Sequence, residues 1–186
     1  MTPRERWLAL VNREKPDRVP MLYRSTREAT QKLLNHLGCR NTDEMFERLH
    51  IDRPLGVRPD YVGPSIPADE DMYGRRYETV EHEGGVYREC VYHALAGCKT
   101  LKEIKSSYNW PSPDWFDYSG IPQQIEGVED RIISGGGSEP FLIYKNLRGD
   151  EQAFIDLIEH PEIVHYAMEQ LYGFCYENTR RIYEQI

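Results

Sequence analysis

The sequence predicts an α/β fold in which short strands alternate with helices around a parallel sheet. Three observations support this prediction. Apolar residues recur at helical spacing over several segments, short β-branched runs separate those segments, and Gly or Pro marks most of the boundaries between them. A chain that alternates strand and helix three times in succession is typical of an α/β protein whose strands run parallel.

Local signals predict the individual elements. Thr2 and Glu5 form a capping box around Pro3, which starts a helix at the N-terminus. Gly38 is predicted to cap the end of the second helix. The other predicted elements are a strand at 18–23, a helix from Ser25 or Thr26, a helix at 42–49, a strand at 51–57, a β-hairpin near 73–93, a helix from Thr100, a helix after the aromatic loop at 109–118, a strand at 131–134, and helices at 140–147, 150–160 and 161–186.

The composition excludes several functional classes. The 23 Lys and Arg against 31 Asp and Glu give a net charge of −8, which argues against a general nucleic-acid binder. No apolar run approaches the roughly 18 residues of a membrane span, and no secretory signal is visible. The four cysteines form no C-x-x-C pair and no zinc-ligand spacing. We therefore expect a cytoplasmic protein with reduced thiols and with no nucleic-acid or membrane partner.

Two arginines follow the first predicted strand. Arg24 and Arg27 flank Ser25-Thr26, and paired guanidinium groups at the carboxyl end of a strand would suit a carboxylate or phosphate ligand. The alternative is that both are incidental charges at a helix N-terminus. That alternative is weakened because the helix dipole disfavours cations there.

Two further segments have both a functional and a structural interpretation. Asp60 follows the second predicted strand, where a carboxylate could act in acid–base chemistry or could simply cap the turn before Gly63. The run Ser134-Gly135-Gly136-Gly137-Ser138 lies between a predicted strand and helix. It could hold an anion at the helix N-terminus, or it could be a flexible turn.

The order of several short segments resembles the uroporphyrinogen decarboxylase family, in particular its divergent bacterial members. The segments that carry this resemblance are MTPRERW at 1–7, KPDRVP at 15–20, LHID at 49–52, PDY at 59–61, WP at 110–111, DWFD at 114–117, LRGDE at 147–151, DL at 156–157 and HPE at 160–162. The resemblance implies the N-terminal portion of a (βα)8 TIM barrel. Residues 1–186 would form a partial barrel domain of about three βα units, with the hairpin near 73–93 as an insertion.

The length agrees with a partial barrel, because 186 residues are fewer than the about 250 that a complete barrel takes. The sequence also ends within its longest predicted helix, without a Gly, Asn or Pro stop signal. We therefore expect the chain to be a fragment of a longer enzyme and to be inactive alone.

The resemblance also implies roles for particular residues. The family's decarboxylase has Met-Arg-Gln-Ala-Gly-Arg after its first strand, and these arginines hold substrate carboxylates. Arg24 matches the first of them, and Arg27 stands nearby at a different spacing. Asp60 corresponds to an essential aspartate that stabilises the protonated pyrrole. Ser138 stands at a proline of the third-strand loop, and Tyr144, six residues on, corresponds to a tyrosine that bonds near the reacting side chain.

The implied function is side-chain decarboxylation of a tetrapyrrole, without metal or cofactor in this chain. The altered Met-Arg-Gln-Ala-Gly-Arg segment and the charge of −8 leave corrinoid-dependent methyl transfer as an alternative. In that case a corrinoid protein would be the partner, a methyl donor the substrate, and His and Cys residues of the C-terminal half would bind zinc. A homodimer and a non-catalytic scaffold are further expectations.

Overall fold

The computed structural model describes residues 1–83, 85–128, 130–137 and 139–186. The chain is divided into two compact units, one formed by Met1–Arg58 with Gly120–Gly135 and the other by Pro59–Ser119 with Gly136–Ile186. The described residues show mixed α/β structure. Their three sheets each contain two strands, and none of them closes into a barrel. None of the helices in these ranges combines the length and apolar character that a bilayer span requires.

The described residues of the first unit form four helices and one parallel pair of strands. The helices are α1 (Pro3–Val11), α2 (Arg27–Leu37), α3 (Thr42–Arg48) and α5 (Ile121–Gln124), and the strands are β1 (Leu55–Val57) and β6 (Ile133–Gly135). The strands pair in register from Leu55 opposite Ile133 to Val57 opposite Gly135. This confirms the parallel pairing expected from the alternation of elements.

The second unit contains the remaining helices and two antiparallel strand pairs. The strands are β2 (Asp60–Tyr61), β3 (Arg76–His82), β4 (Gly85–Tyr92) and β5 (Phe116–Asp117), and the helices are α4 (Leu101–Ser107), α6 (Pro140–Arg148), α7 (Asp150–Glu159) and α8 (Pro161–Tyr183), with a short 3-10 turn at Pro113–Trp115. β2 pairs with β5, and β3 pairs with β4. The predicted hairpin near 73–93 is therefore confirmed, although Gly84 lies outside the described residues.

The helix caps agree with the local signals. The capping boxes at Thr2 and Thr100 both form, with each hydroxyl accepting the backbone N–H three residues on. Thr26 caps α2, and Gly38 ends that helix at φ 66°, in the left-handed region that glycine adopts without strain. The helix predicted to begin at Ser112 and Pro113, within the aromatic segment, is reduced to the 3-10 turn at Pro113–Trp115, which Ser112 caps.

The strand predicted at residues 18–23 is wrong. This segment is irregular, and Val19 and Leu22 are 75% and 61% exposed. Met21 exchanges one main-chain hydrogen bond with Asp52, whose N–H donates to the Met21 carbonyl at 2.8 Å. The Met21 N–H donates to the Asp52 carboxylate rather than to a neighbouring strand. The segment is thus held by a side chain, which leaves too few backbone partners for a β-ladder.

Asp52 is the centre of a buried ion cluster in the first unit. Its side chain is 1% exposed and accepts hydrogen bonds from Arg6 and Arg18 as well as from the Met21 N–H. Arg6 also binds Asp17, at 2.6 and 2.8 Å. Burial by itself raises the pKa of Asp52, but the hydrogen bonds outweigh it and lower that pKa below its usual value. One carboxylate thereby joins α1, the 17–21 segment and the residues before β1.

The core of the second unit is formed mainly by α6, α7 and α8, and it too contains a buried carboxylate. Asp156 is fully buried and accepts hydrogen bonds from the Tyr144 hydroxyl and from Arg148 Nε, both at 2.6 Å. Gln152 donates a third bond at 2.8 Å. Arg148 also donates to the carbonyls of Leu95 and Cys98, so the cluster ties α6 and α7 to the loop after the hairpin. The buried residues around it are Tyr73, Leu95, Ile104, Tyr144, Leu147, Ala153, Ile163, Val164, Ala167 and Leu171.

Candidate functional site

The carboxyl ends of β1 and β6 lie at the same edge of the parallel pair, because Val57 is opposite Gly135. In folds with parallel strands, ligands bind beyond this edge, where loops carry the variable side chains. The candidate site of the first unit is therefore the set of residues that follows β1 and flanks β6.

Arg58 is the first residue beyond β1. Its backbone is held by the side chain of Gln124, which accepts the Arg58 N–H at 3.2 Å and donates to the Arg58 carbonyl at 2.8 Å. The Arg58 side chain is exposed and forms no ion pair with any described residue. A guanidinium on a fixed backbone, with its donors unused, is suited to bind a carboxylate or phosphate in a bidentate manner.

Sequence reasoning missed Arg58. The signal was available, because a cation directly after a predicted strand has the same placement that drew attention to Arg24. The strand predicted at residues 51–57 ends at Val57, as β1 does, and Arg58 follows it directly. The hydrogen bonds from the Gln124 side chain to the Arg58 backbone could not be predicted from the sequence, because Gln124 is 66 residues away.

Arg24 and Arg27 belong to the same unit as Arg58. Arg24 lies in the exposed segment before α2, and Arg27 is the first residue of that helix. Neither forms an ion pair within the described part of the chain. Both guanidinium groups are therefore available to an anionic ligand, and their assignment to substrate binding stays a prediction.

Asp60 belongs to the second unit, where it is opposite Asp117 in the β2–β5 pair. Both residues are exposed. The Ser119 N–H donates to the Asp117 carboxylate at 2.9 Å and lowers the pKa of Asp117. No described residue donates a hydrogen bond to the Asp60 side chain, so the turn cap before Gly63 is not formed. Asp60 is accordingly an exposed, unpaired carboxylate, and its catalytic role stays a prediction.

Tyr144 lies in α6 and is fully buried. Its hydroxyl donates to Asp156 at 2.6 Å, and burial followed by the Asp156 carboxylate raises the pKa of Tyr144. The hydroxyl is therefore already used in packing α6 against α7. Its predicted bond to a substrate stays a prediction, and it would require Tyr144 to leave this partner.

The glycine run after β6 approaches α8 closely. Gly136 and Gly137 have φ values of 69° and 80°, and the Gly137 N–H donates to Thr179 Oγ1 at 3.4 Å. A Cβ on Gly136 would collide with the same oxygen, so no larger residue fits without displacing Thr179. This contact explains the glycine without an anion. Ser138, predicted to bind substrate, lies outside the described residues.

Gly136→Ala is expected to lower the free energy of unfolding by about 1–3 kcal/mol more than Gly137→Ala. Both substitutions place alanine at positive φ, but nothing lies within 4 Å of a Cβ on Gly137. The difference thus isolates the collision with Thr179. Urea unfolding followed by far-UV circular dichroism measures it, and equal losses in the two variants would show that Thr179 moves aside freely.

Metal ligands are not clustered in the described ranges. No group of three or more His, Cys, Asp or Glu side chains in those ranges could hold an ion. Cys90 and His93 come within 3.7 Å, but His93 Nδ1 donates to the Asn146 carbonyl at 2.7 Å, and burial raises the pKa of Cys90. This pair is therefore neither an activated thiol nor a closed metal site.

Comparison of the chain with protein-family models, with the curated proteins and with solved structures finds no match. The function is therefore argued from the chain's own residues.

Proposed function

We propose that the chain belongs to an enzyme of the uroporphyrinogen decarboxylase type, a cytoplasmic (βα)8 barrel that acts on the carboxylated side chains of a tetrapyrrole. The observation that carries this proposal is the unpaired guanidinium of Arg58 at the carboxyl end of a parallel strand pair. β1 and β6 would be two adjacent strands of the barrel sheet, and their shared edge would face the substrate.

The arginines have the chemistry that such a substrate needs. Each guanidinium can bind one carboxylate through two parallel N–H···O bonds. Three arginines are exposed and form no ion pair with a described residue: Arg58, Arg24 and Arg27. By contrast, Arg6 and Arg18 both form ion pairs with Asp52. The first three are thus the cations that we assign to side-chain carboxylates.

Asp60 is the residue that we assign to the reacting pyrrole. Decarboxylation of a pyrrole side chain passes through a protonated, cationic ring, and an adjacent carboxylate stabilises that charge electrostatically. Asp60 is suited to this role because its carboxylate forms no ion pair with a described residue and accepts no hydrogen bond from one. Tyr144 is less well suited to its own predicted role, a hydrogen bond near the reacting side chain, since its hydroxyl is bound to Asp156.

Corrinoid-dependent methyl transfer is the second candidate, and the engagement of Tyr144 together with the net charge of −8 favours it. A chain with a net negative charge repels a ligand that has eight carboxylates, whereas it does not repel a small neutral methyl donor. Formation of methylcobalamin from cob(I)alamin and a panel of methyl donors by the longer enzyme to which this chain is expected to belong, followed by absorbance, would support this candidate and count against the decarboxylase.

The decarboxylase proposal predicts that uroporphyrin, the stable oxidised form of the substrate, binds to the purified protein and that Arg58→Gln raises its Kd about tenfold. Fluorescence titration measures both values. Arg40→Gln is the matched control, because Arg40 is also exposed and in the same unit but is paired with Glu44.

Coproporphyrin, which has four carboxylates rather than eight, should bind more weakly than uroporphyrin. The proposal fails if uroporphyrin does not bind saturably, or if Arg40→Gln weakens it as much as Arg58→Gln does. The second result would show that only net charge matters.

A further inference from the structure

One side of α8 is exposed along most of the helix. Its exposed residues recur at spacings of three and four, which places them on the same side of a helix. We call these residues the α8 stripe: His165, Glu169, Tyr172, Gly173, Tyr176, Arg180 and Tyr183. Tyr172 and Tyr176, near its middle, are 60% and 73% exposed. Aromatic residues are enriched at protein interfaces, so the stripe is a candidate interface.

Gly173 is the residue of the α8 stripe that the described neighbours leave unexplained. Glycine in the interior of a helix costs stability relative to alanine. Gly173 lies near the centre of the 23-residue helix, and a Cβ on it would meet no described atom within 4 Å. Packing within the described chain therefore does not require a glycine there. A glycine on a helix surface does let another backbone approach closely.

The stripe is complementary to a second copy of itself. When two α8 helices are aligned antiparallel with Tyr176 of each copy over Gly173 of the other, the register is fixed. Glu169 of each copy then lies at the height of Arg180 of the other, because Glu169 precedes Gly173 by four residues and Arg180 follows Tyr176 by four. Each contact occurs twice, which is the self-complementarity that a two-fold interface requires.

Both charged residues of this register are able to form the contact. Glu169 forms no ion pair with a described residue. Arg180 is paired with Glu177 and Glu184 of its own chain, but these bonds use three of the five N–H donors of a guanidinium. Two donors of Arg180 are thus left for the Glu169 carboxylate of a second copy.

A cavity of about 500 Å³ borders the α8 stripe on one side. It is lined by Pro140 of α6 and by Tyr172, Cys175, Tyr176, Thr179 and Arg180 of α8, all of them in the second unit. The cavity has room for the aromatic ring of a tyrosine from a second copy. Such a ring would bury apolar surface there while its hydroxyl stays in water.

We infer that the α8 stripe binds a second copy of this chain in an antiparallel, two-fold pair of helices. The net charge of −8 on each copy opposes association, but at about 0.15 M salt charges more than about 8 Å apart are largely screened. One helix from each copy makes a small interface, so the dimer dissociates on dilution. The inference does not depend on the proposed function or on Arg58.

Sedimentation velocity of the full chain, at concentrations from about 1 to 200 µM, is expected to show monomer and dimer in equilibrium. Glu169→Lys places two cations opposite each other and should raise the dimer Kd about tenfold. The double variant Glu169→Lys/Arg180→Glu restores opposite charges and should recover most of the affinity. Glu159→Lys is the matched control, because it makes the same charge change at an exposed residue of α7 and should leave the Kd unchanged.

Gly173→Gln tests the close approach of the two helices separately. Glutamine favours a helix, and the described chain leaves room for a side chain at this position, so the monomer should unfold at a higher temperature. The same side chain should hold the helices apart and raise the dimer Kd about tenfold.

Three results would overturn the inference. The first is a chain that stays monomeric at every concentration, which would leave the stripe to a different partner. The second is a dimer whose Kd Gly173→Gln leaves unchanged. The third is a double variant Glu169→Lys/Arg180→Glu that dimerises no better than Glu169→Lys while circular dichroism shows that both are folded.

Discussion

Asp156→Ala is expected to lower the free energy of unfolding by about 3–5 kcal/mol, the largest effect of any single substitution proposed for this chain. The carboxylate is fully buried and accepts hydrogen bonds from Arg148, Tyr144 and Gln152. Its removal leaves a guanidinium buried without its counter-ion, which costs more than the pair contributes. Urea unfolding followed by circular dichroism measures the loss.

Asp150→Ala is the control for this prediction. Asp150 lies in the same helix and pairs with Lys145, but its side chain is 65% exposed, so we expect a loss below about 1 kcal/mol. A double variant, Arg148→Met/Asp156→Leu, should recover much of the stability, because it removes both charges together. If Asp156→Ala behaves like Asp150→Ala, the buried pair does not hold α6 against α7.

Asp52→Ala is expected to have the second-largest effect, a loss of about 3 kcal/mol or more, in the first unit. Arg6 and Arg18 would lose their shared carboxylate, and the Met21 N–H would lose its acceptor. Because the 18–23 segment has no β-ladder, we expect it to become the first part of the unit to exchange its amide protons. Native-state hydrogen exchange measures this directly.

Asp43→Ala is the corresponding control, because Asp43 pairs with Arg53 at the surface of the same unit. Acid titration supplies an independent readout of Asp52. Its pKa is lowered in the folded protein, so its contribution is complete above the ordinary Asp value near 3.8 and is lost as the pH falls below it. Asp52→Ala should therefore flatten the acid limb of the stability curve. An unchanged acid limb would contradict the assignment.

The elements that the sequence predicts correctly are those set by neighbouring residues. The capping boxes at Thr2 and Thr100 and the glycine end of α2 involve partners within four positions, so the sequence contains all the information they need. The hairpin is likewise a local structure. The alternation of elements predicts parallel strands, and β1 and β6 are parallel, although which strands pair was not predicted.

The wrong strand at residues 18–23 is explained by a partner that is distant in sequence. Residues 18–23 have the composition of a strand, yet Asp52, 31 residues beyond Met21, takes the backbone donor that a strand would use. The hydrogen bond from the Tyr144 hydroxyl to Asp156, in the next helix, was not predicted either, and the substrate contact of Tyr144 stays a prediction. No local sequence pattern predicts either contact, because each joins two segments that only the tertiary fold brings together.

The sequence predicts where the candidate site lies, but only some of the residues that form it. The rule that ligands bind beyond the carboxyl ends of parallel strands pointed to Arg24 and Asp60. Applied at residue 58 as well, it would have found the guanidinium at the end of β1. The predicted residues fall in both compact units, with Arg24 and Arg27 in the first and Asp60 and Tyr144 in the second.

The most direct test of the central claim is to locate bound uroporphyrin by amide chemical-shift changes in the isotopically labelled protein. If the carboxyl end of the β1–β6 pair binds carboxylated tetrapyrroles, the amides of Arg58, Gln124 and Gly135 should shift together on titration, and Arg58→Gln should abolish the shifts. Changes confined to other residues, or none at saturating ligand, would contradict the assignment of this edge as the substrate site.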